Sequence, residues 1–220
     1  MTGMLSDWEA RFEKFVRSGL AEGTDPAHDL AHIRRVVANA RRLAAAEGAD
    51  PAVVLPAAWL HDCVVLPKDS ARRAQASRLA AERAGAFLRQ SGYPRAHIPA
   101  IEHAITAHSF SAGIPPESLE AKVVQDADRL DALGAIGIAR TLLLGGVMGK
   151  PLYDDDEPLP QTRAPDDKEN VIDHFYVKLL GLADMMHTAA GRLEGERRTR
   201  LMRLYLNELK RELSDEGLPV

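Results

Sequence analysis

The sequence predicts an all-α fold, a single helical domain spanning residues 1–220. Three observations predict it. Alanine, leucine and arginine recur at helical period along most of the chain, and alternating runs of β-branched residues between turn signals are scarce. Asp-Pro steps and Gly or Pro residues stand where helices of ordinary length would begin and end. With 220 residues and a 45% hydrophobic composition, the chain can bury a core without a disulfide or a structural metal.

The elements follow in order. A helix is expected just after Asp25-Pro26, with Asp25 as its cap, carrying Ile33, Val36, Val37, Ala40 and Leu43 on one stripe and ending near Gly48. His32 lies beside that stripe, one turn before Val36. A second helix from about Asp50-Pro51 presents Val54, Ala57, Ala58 and His61 at spacings of three and four, and Pro67 discourages its continuation, so His61 and Asp62 sit near its C-terminal end. A third is expected over 76–90, stopped by Gly92 and Pro94, a fourth over 97–108, and a fifth over 117–144. Residues 145–169 mix Gly, Pro and an acidic run at 154–157; they read as a long loop of functional character, a lid over the site. Helices over 171–190 and 194–214 complete the chain.

Composition excludes several classes. A net charge of -4 argues against a nucleic-acid-coating surface while permitting a local basic pocket. No apolar stretch approaches the roughly 20 residues of a membrane span, and the acidic N-terminus does not read as an export signal. The one cysteine, Cys63, rules out a cysteine-rich zinc site and suits a reducing, cytoplasmic setting. Cys63 itself reads as a buried small residue.

The chemistry lies in histidines and carboxylates placed near core faces. His32, the doublet His61-Asp62, and the acidic set Asp126, Asp128 and Asp131 all fall beside apolar positions. Burying such groups unpaired is costly, and a shared divalent cation removes the cost. Two imidazoles and two carboxylates suit Mn, Fe, Co, Ni or Zn better than Ca or Cu(I). For the last carboxylate, helical geometry alone points to Asp131, nearest the middle of the face formed by Val124, Ala127, Ala135 and Ile138.

Three stretches, AHDLAHIRRV, AAWLHDCVVLPKDSARRAQAS and VVQDADRLDALGAIGIAR, resemble the HD-domain superfamily of metal-dependent phosphohydrolases, with a likeness extending over roughly residues 25 to 190. The resemblance implies an HD-type helical bundle around a divalent metal, cleavage of phosphoester or phosphoanhydride bonds, and nucleotides as frequent substrates. Residue by residue it places the metal on His32, His61, Asp62 and Asp128, the last being the Asp of an Ala-Asp step. One ion is expected, with Mn first and Mg, Fe, Co, Ni or Zn as alternatives. Asp62 would also orient or deprotonate the attacking water. Many relatives carry an acid shortly after the doublet, where this chain has Val64 and Val65; that substitution favours a good leaving group and anhydride cleavage.

Lys68, Arg72 and Arg73, just after the doublet, are candidates to hold phosphate, Lys68 with a catalytic share. Lys178, in the family-like stretch HFYVKLLGLADMMHT, is a further substrate candidate. His103 and His108 are candidate catalytic groups for a phosphate contact or proton transfer, although five residues of separation puts them on different faces of a helix. Met185, Met186, Leu201, Met202 and Leu204 read as core or as contact between two copies. The expected function is hydrolysis of a nucleotide or related small phosphorylated metabolite; a cyclic-nucleotide phosphodiesterase and a non-catalytic nucleotide-binding module are the alternatives.

Overall fold

The computed structural model describes residues 2–19, 29–64, 66, 75–109 and 112–214, with side chains from Asp7 onward. Among the described residues there are helices and turns and no strand. The α-helices are α1 (Thr2–Gly19), α2 (Leu30–Glu47), α3 (Pro51–Leu60), α4 (Ala76–Ser91), α5 (Ile98–His108), α6 (Leu119–Leu130), α7 (Gly134–Val147), α8 (Asp173–Val177) and α9 (Ala189–Leu213). No single described helix is long and apolar enough to cross a membrane. The chain divides into two compact units: Met1–Asp128 with His187–Gly191, and Arg129–Met186 with Arg192–Val220.

The first unit is organised around α3. Its sequence, PAVVLPAAWL, is apolar on every side, and a helix of that kind is stable only when enclosed. Residues Val53 to Leu60 are all buried, and α1, α2 and α5 pack against them. Each fully buried Val or Leu contributes about 1.5–3 kcal/mol relative to exposure. Asp50 caps the N-terminus by accepting from Ala52 N at 2.8 Å, and Pro51 occupies the first position, where a missing N–H costs nothing.

Pro56 lies inside α3 and cannot donate to the carbonyl four residues back. That carbonyl belongs to Ala52, and it accepts instead from the buried Tyr93 hydroxyl at 2.6 Å. Burial, with the Asp50 charge as a lesser cause, pushes the Tyr93 hydroxyl pKa up to about 12, so it stays a donor at any ordinary pH. Tyr93 also stands edge-on to Trp8 of α1, with centroids 4.9 Å apart, and Phe15 stacks on Phe87 at 4.0 Å. Glu9 of α1 accepts from Arg41 of α2 and from Trp59 Nε1 of α3, tying three helices at one carboxylate.

In the second unit, Ile172, Phe175, Leu179, Leu182, Met202 and Leu206 are buried, and Phe175 of α8 stacks on Tyr205 of α9. The segment between α7 and α8 is internally bonded. Arg163 makes a two-pronged pair with the buried carboxylate of Asp173, at 2.5 and 2.7 Å, and Asp173 also accepts from Asp166 N. Glu157 accepts from the backbone N–H groups of Gln161, Thr162 and Arg163 and from the Thr162 hydroxyl.

Four sequence expectations are corrected. The helix expected after Asp25-Pro26 is seen from Leu30, capped by Asp29, whose side chain accepts from His32 N at 2.7 Å; Asp25 and Pro26 lie outside the described residues. The helix expected over 117–144 is two helices. α6 ends at Leu130 and α7 begins at Gly134, whose φ of 71° suits glycine, while a Cβ on Gly137 would stand 2.2 Å from the Ala132 carbonyl oxygen. The helix expected over 171–190 is the short α8 followed by two 3₁₀ turns, because Lys178 leaves helical geometry at φ -134°. The last helix starts at Ala189 rather than at 194: the Thr188 hydroxyl accepts from Gly191 N at 3.0 Å, a capping signal that the charge pattern further on had obscured. The N-terminal helix α1 had no forecast of its own.

Tyr93→Phe should lower stability by about 1–2 kcal/mol in denaturant unfolding, because the Ala52 carbonyl loses its donor. In a Pro56→Ala background the new backbone N–H supplies that bond, and the same substitution should cost clearly less; equal costs in both backgrounds would refute the pairing.

The four donors on Glu157, those of Thr162 first, hold its carboxyl down at about 2 against an ordinary 4.5. A depressed carboxyl contributes order that is complete above the unfolded value and lost as pH falls through the folded one. Amide exchange at residues 161–163 should therefore stay protected to pH values well under 4.5 and rise steeply towards about 2; protection lost already between pH 5 and 4 would contradict this.

Candidate metal centre

Four helix ends supply the cluster. His61 is the residue that closes α3, His108 is the last of α5, Asp128 lies in the last turn of α6, and His32 lies in the first turn of α2. His32, His61 and His108 are buried; the Asp62 side chain is 14% exposed and that of Asp128 30%. The cluster is thus sealed on the histidine side and open at Asp128.

The distances are those of groups gathered around one point. His32 Nε2 lies 3.4 Å from His61 Nε2, 3.4 Å from Asp128 Oδ1 and 3.7 Å from Asp62 Oδ2. His61 Nε2 lies 3.4 Å from Asp62 Oδ2 and 3.9 Å from Asp128 Oδ1. Ligand atoms about 2.1 Å from a common ion are themselves roughly 3 to 3.5 Å apart, and His32, His61 and Asp128 form one grouping that could hold such an ion, with Asp62 Oδ2 beside the two histidines. A second grouping joins His61, Asp62 and His108, with His108 Nε2 at 3.6 Å from Asp62 Oδ1. Asp62 therefore presents one oxygen to the first two histidines and the other to His108.

Backbone carbonyls set which nitrogen faces inward. His61 Nδ1 stands 2.8 Å from the Ala58 oxygen and His108 Nδ1 2.6 Å from the Ile105 oxygen. A carbonyl only accepts, so each Nδ1 carries the proton in the neutral ring, and each Nε2 presents a lone pair to the cluster. For His108, burial opposes protonation, but the hydrogen bond and charge of Asp62 outweigh it and raise its pKa. Lone pairs and carboxylate oxygens packed this closely away from water repel one another, and a cation resolves the repulsion.

The structure separates the sequence candidates. Asp128 is the carboxylate brought to His32 and His61, whereas Asp131 is paired with Arg140 at 2.6 Å in the second unit. The helical-face argument for Asp131 fails for a physical reason: α6 ends at Leu130, so the continuous face it assumed does not exist. Asp126, fully buried, accepts from His187 N, Thr188 N and the Thr188 hydroxyl. His108 joins the cluster. His103 does not, and its Nε2 accepts from Glu117 N at 3.1 Å. Lys178 is exposed in the second unit. Lys68, Arg72 and Arg73 lie outside the described residues.

Sequence reasoning missed two buried carboxamides beside the cluster, Asn39 and Gln125. Their signal was a polar residue at a core position of a helix without a metal-ligand identity.

The comparisons with known proteins show the family. The HD domain model matches residues 29–133. An HD-superfamily hydrolase from Bacillus thuringiensis shares the fold with a TM-score of 0.75 and 32% identity, over 96% of this chain and 99% of that one. The chain belongs to the HD-domain superfamily of hydrolases. It is also similar to YpgQ of Bacillus subtilis, with 33% identity over 190 residues, 84% of each chain. The crystal structure of YpgQ in complex with ADP matches with a TM-score of 0.73, over 94% of this chain and 95% of that one.

Cys63 directly follows the doublet and takes no part in the cluster. Its Sγ points to the Ala80 carbonyl at 3.4 Å, Arg83 donates to its carbonyl, and burial pushes the thiol pKa up to about 12. Iodoacetamide at pH 8 should leave the native chain unlabelled over the time in which the denatured chain reacts fully; rapid native labelling would show the thiol to be accessible.

Proposed function

We propose that the chain hydrolyses a phosphoanhydride bond of a nucleotide, with a divalent cation, Mn first, held by His32, His61, Asp62 and Asp128. The observation that carries this reading is the convergence of the His32, His61 and Asp128 ligand atoms, at separations of 3.4 to 3.9 Å, with Asp62 Oδ2 3.7 and 3.4 Å from the two histidines. The cation, when bound, lowers the pKa of a coordinated water and draws off the charge that gathers on phosphoryl oxygens. Asp62 turns its other oxygen, Oδ1, toward His108, and it is the carboxylate proposed to orient or deprotonate that water. His108, against the same oxygen, is placed to steady Asp62 or to meet the phosphate.

Two further observations support the nucleotide and the anhydride. The similar YpgQ was crystallised with ADP, and the positions after Cys63 are Val64 and Val65 rather than an acid. Without a general acid, a leaving group that needs little protonation is the better substrate. Lys68, Arg72 and Arg73, which follow the doublet in sequence, are the proposed phosphate contacts.

Incubation of the purified chain with Mn and a panel of nucleoside triphosphates, diphosphates and monoesters, with separate assays of phosphate and pyrophosphate, tests this. Triphosphates should be cleaved, and His61→Ala should lose more than about 100-fold, since removal of a ligand exceeds the 10- to 100-fold cost of disturbing its support. No release above the His61→Ala level in any metal would sink the proposal, and tight nucleotide binding without turnover would favour a binding module.

A further inference from the structure

His61, His108 and Asp128 all stand at C-terminal helix ends, where the final carbonyls have no partner within the helix. Two of those carbonyls are occupied by buried side-chain amides from neighbouring helices. Asn39 Nδ2 of α2 donates to the Ala127 oxygen at 3.2 Å, and Gln125 Nε2 of α6 donates to the Ala107 oxygen at 2.6 Å. Ala127 directly precedes Asp128, and Ala107 directly precedes His108. Asn39 shares α2 with His32, two turns further on, and Gln125 shares α6 with Asp128. The helix that carries Asp128 is thus tied to the helix of His32 on one side and to the helix of His108 on the other, each time one residue from the cluster.

Both amides are themselves oriented. Asn39 Oδ1 accepts from Arg42 at 2.7 Å, and Gln125 Oε1 faces His187 Nε2 at 2.5 Å. The backbone of His187 is held in turn by Asp126, and a Cβ on Gly191 would stand 2.5 Å from that carboxylate. Each amide is only 3% exposed. An apolar residue would fill either place at lower desolvation cost, so the carboxamide contributes direction rather than bulk.

We propose that Asn39 and Gln125 are positioning residues that fix Asp128 and His108 relative to His32 and His61, so that the cation site is formed before the ion arrives. The inference rests on the reading of the cluster as a metal site. Titration of the whole chain with Mn(II), followed by the EPR signals of free and bound ion, tests it in Asn39→Leu and Gln125→Met, which keep volume and remove the donor. Each should bind Mn(II) about 10- to 100-fold more weakly than the parent, with a changed bound-ion line shape.

Tyr93→Phe removes a comparable side-chain-to-carbonyl bond at the opposite end of α3 and serves as the control: it should lower the melting temperature yet keep parental affinity and line shape. Should an apolar variant fail to fold, Asn39→Ala and Gln125→Ala leave space for a water at the carbonyl and take its place. Parental Mn(II) affinity in the folded variants would overturn the positioning role while leaving the metal reading intact. A parent chain that binds no more Mn(II) than His61→Ala would overturn both.

Discussion

The bond between His61 Nδ1 and the Ala58 carbonyl is where the rest of the centre begins. It spans a single helical turn, so α3 has to remain regular up to its last residue for the ring to be aimed at all. Once Nδ1 is committed to the backbone, Nε2 is the nitrogen that faces the cluster, and the same holds at His108 through Ile105. Two buried rings with inward lone pairs, set beside Asp62 and Asp128, form an arrangement that the protein alone does not neutralise. A divalent cation could balance it.

Helix direction adds to the same effect. α3, α5 and α6 each bring a C-terminal end to the cluster, and such an end carries a partial negative charge from its unpaired carbonyls. Their combined field favours a cation at that point and disfavours an anion, which must then rely on the ion itself or on basic side chains. The open side of the cluster is the one where Asp128 is partly exposed, away from the buried histidines.

Much of the first unit was legible in the sequence because its helices are long or apolar and begin at recognisable caps; α3 could be read almost to the residue from Asp50-Pro51 and the doublet. The region after Asp128 was harder, for particular reasons. The apolar period across residues 117–144 masked Gly134, whose positive φ is what separates α6 from α7. Between Lys178 and Met186 the composition is helical, yet the hydrogen bonds are those of short 3₁₀ turns, a difference set by packing and not by propensity. Within the site, resemblance selected Asp128 over Asp131, and the end of α6 supplies the physical reason. Asn39 and Gln125 could not be singled out from one sequence, since nothing in a lone amide shows which carbonyl it will meet.

Pro56 links the order of assembly to the site. A helix normally completes its hydrogen bonds from residues within one turn, so it can form before its neighbours arrive. α3 cannot, because the partner of its Ala52 carbonyl is Tyr93, 41 residues further along. The helix that delivers His61 and Asp62 reaches its full bonding only when the segment beyond α4 has folded back on it, a contact of long sequence separation that carries the entropic cost of closing that loop. The doublet is thereby placed among the later features to become rigid, and an incomplete chain ending before Tyr93 would carry His61 and Asp62 at the end of a helix still short of one bond.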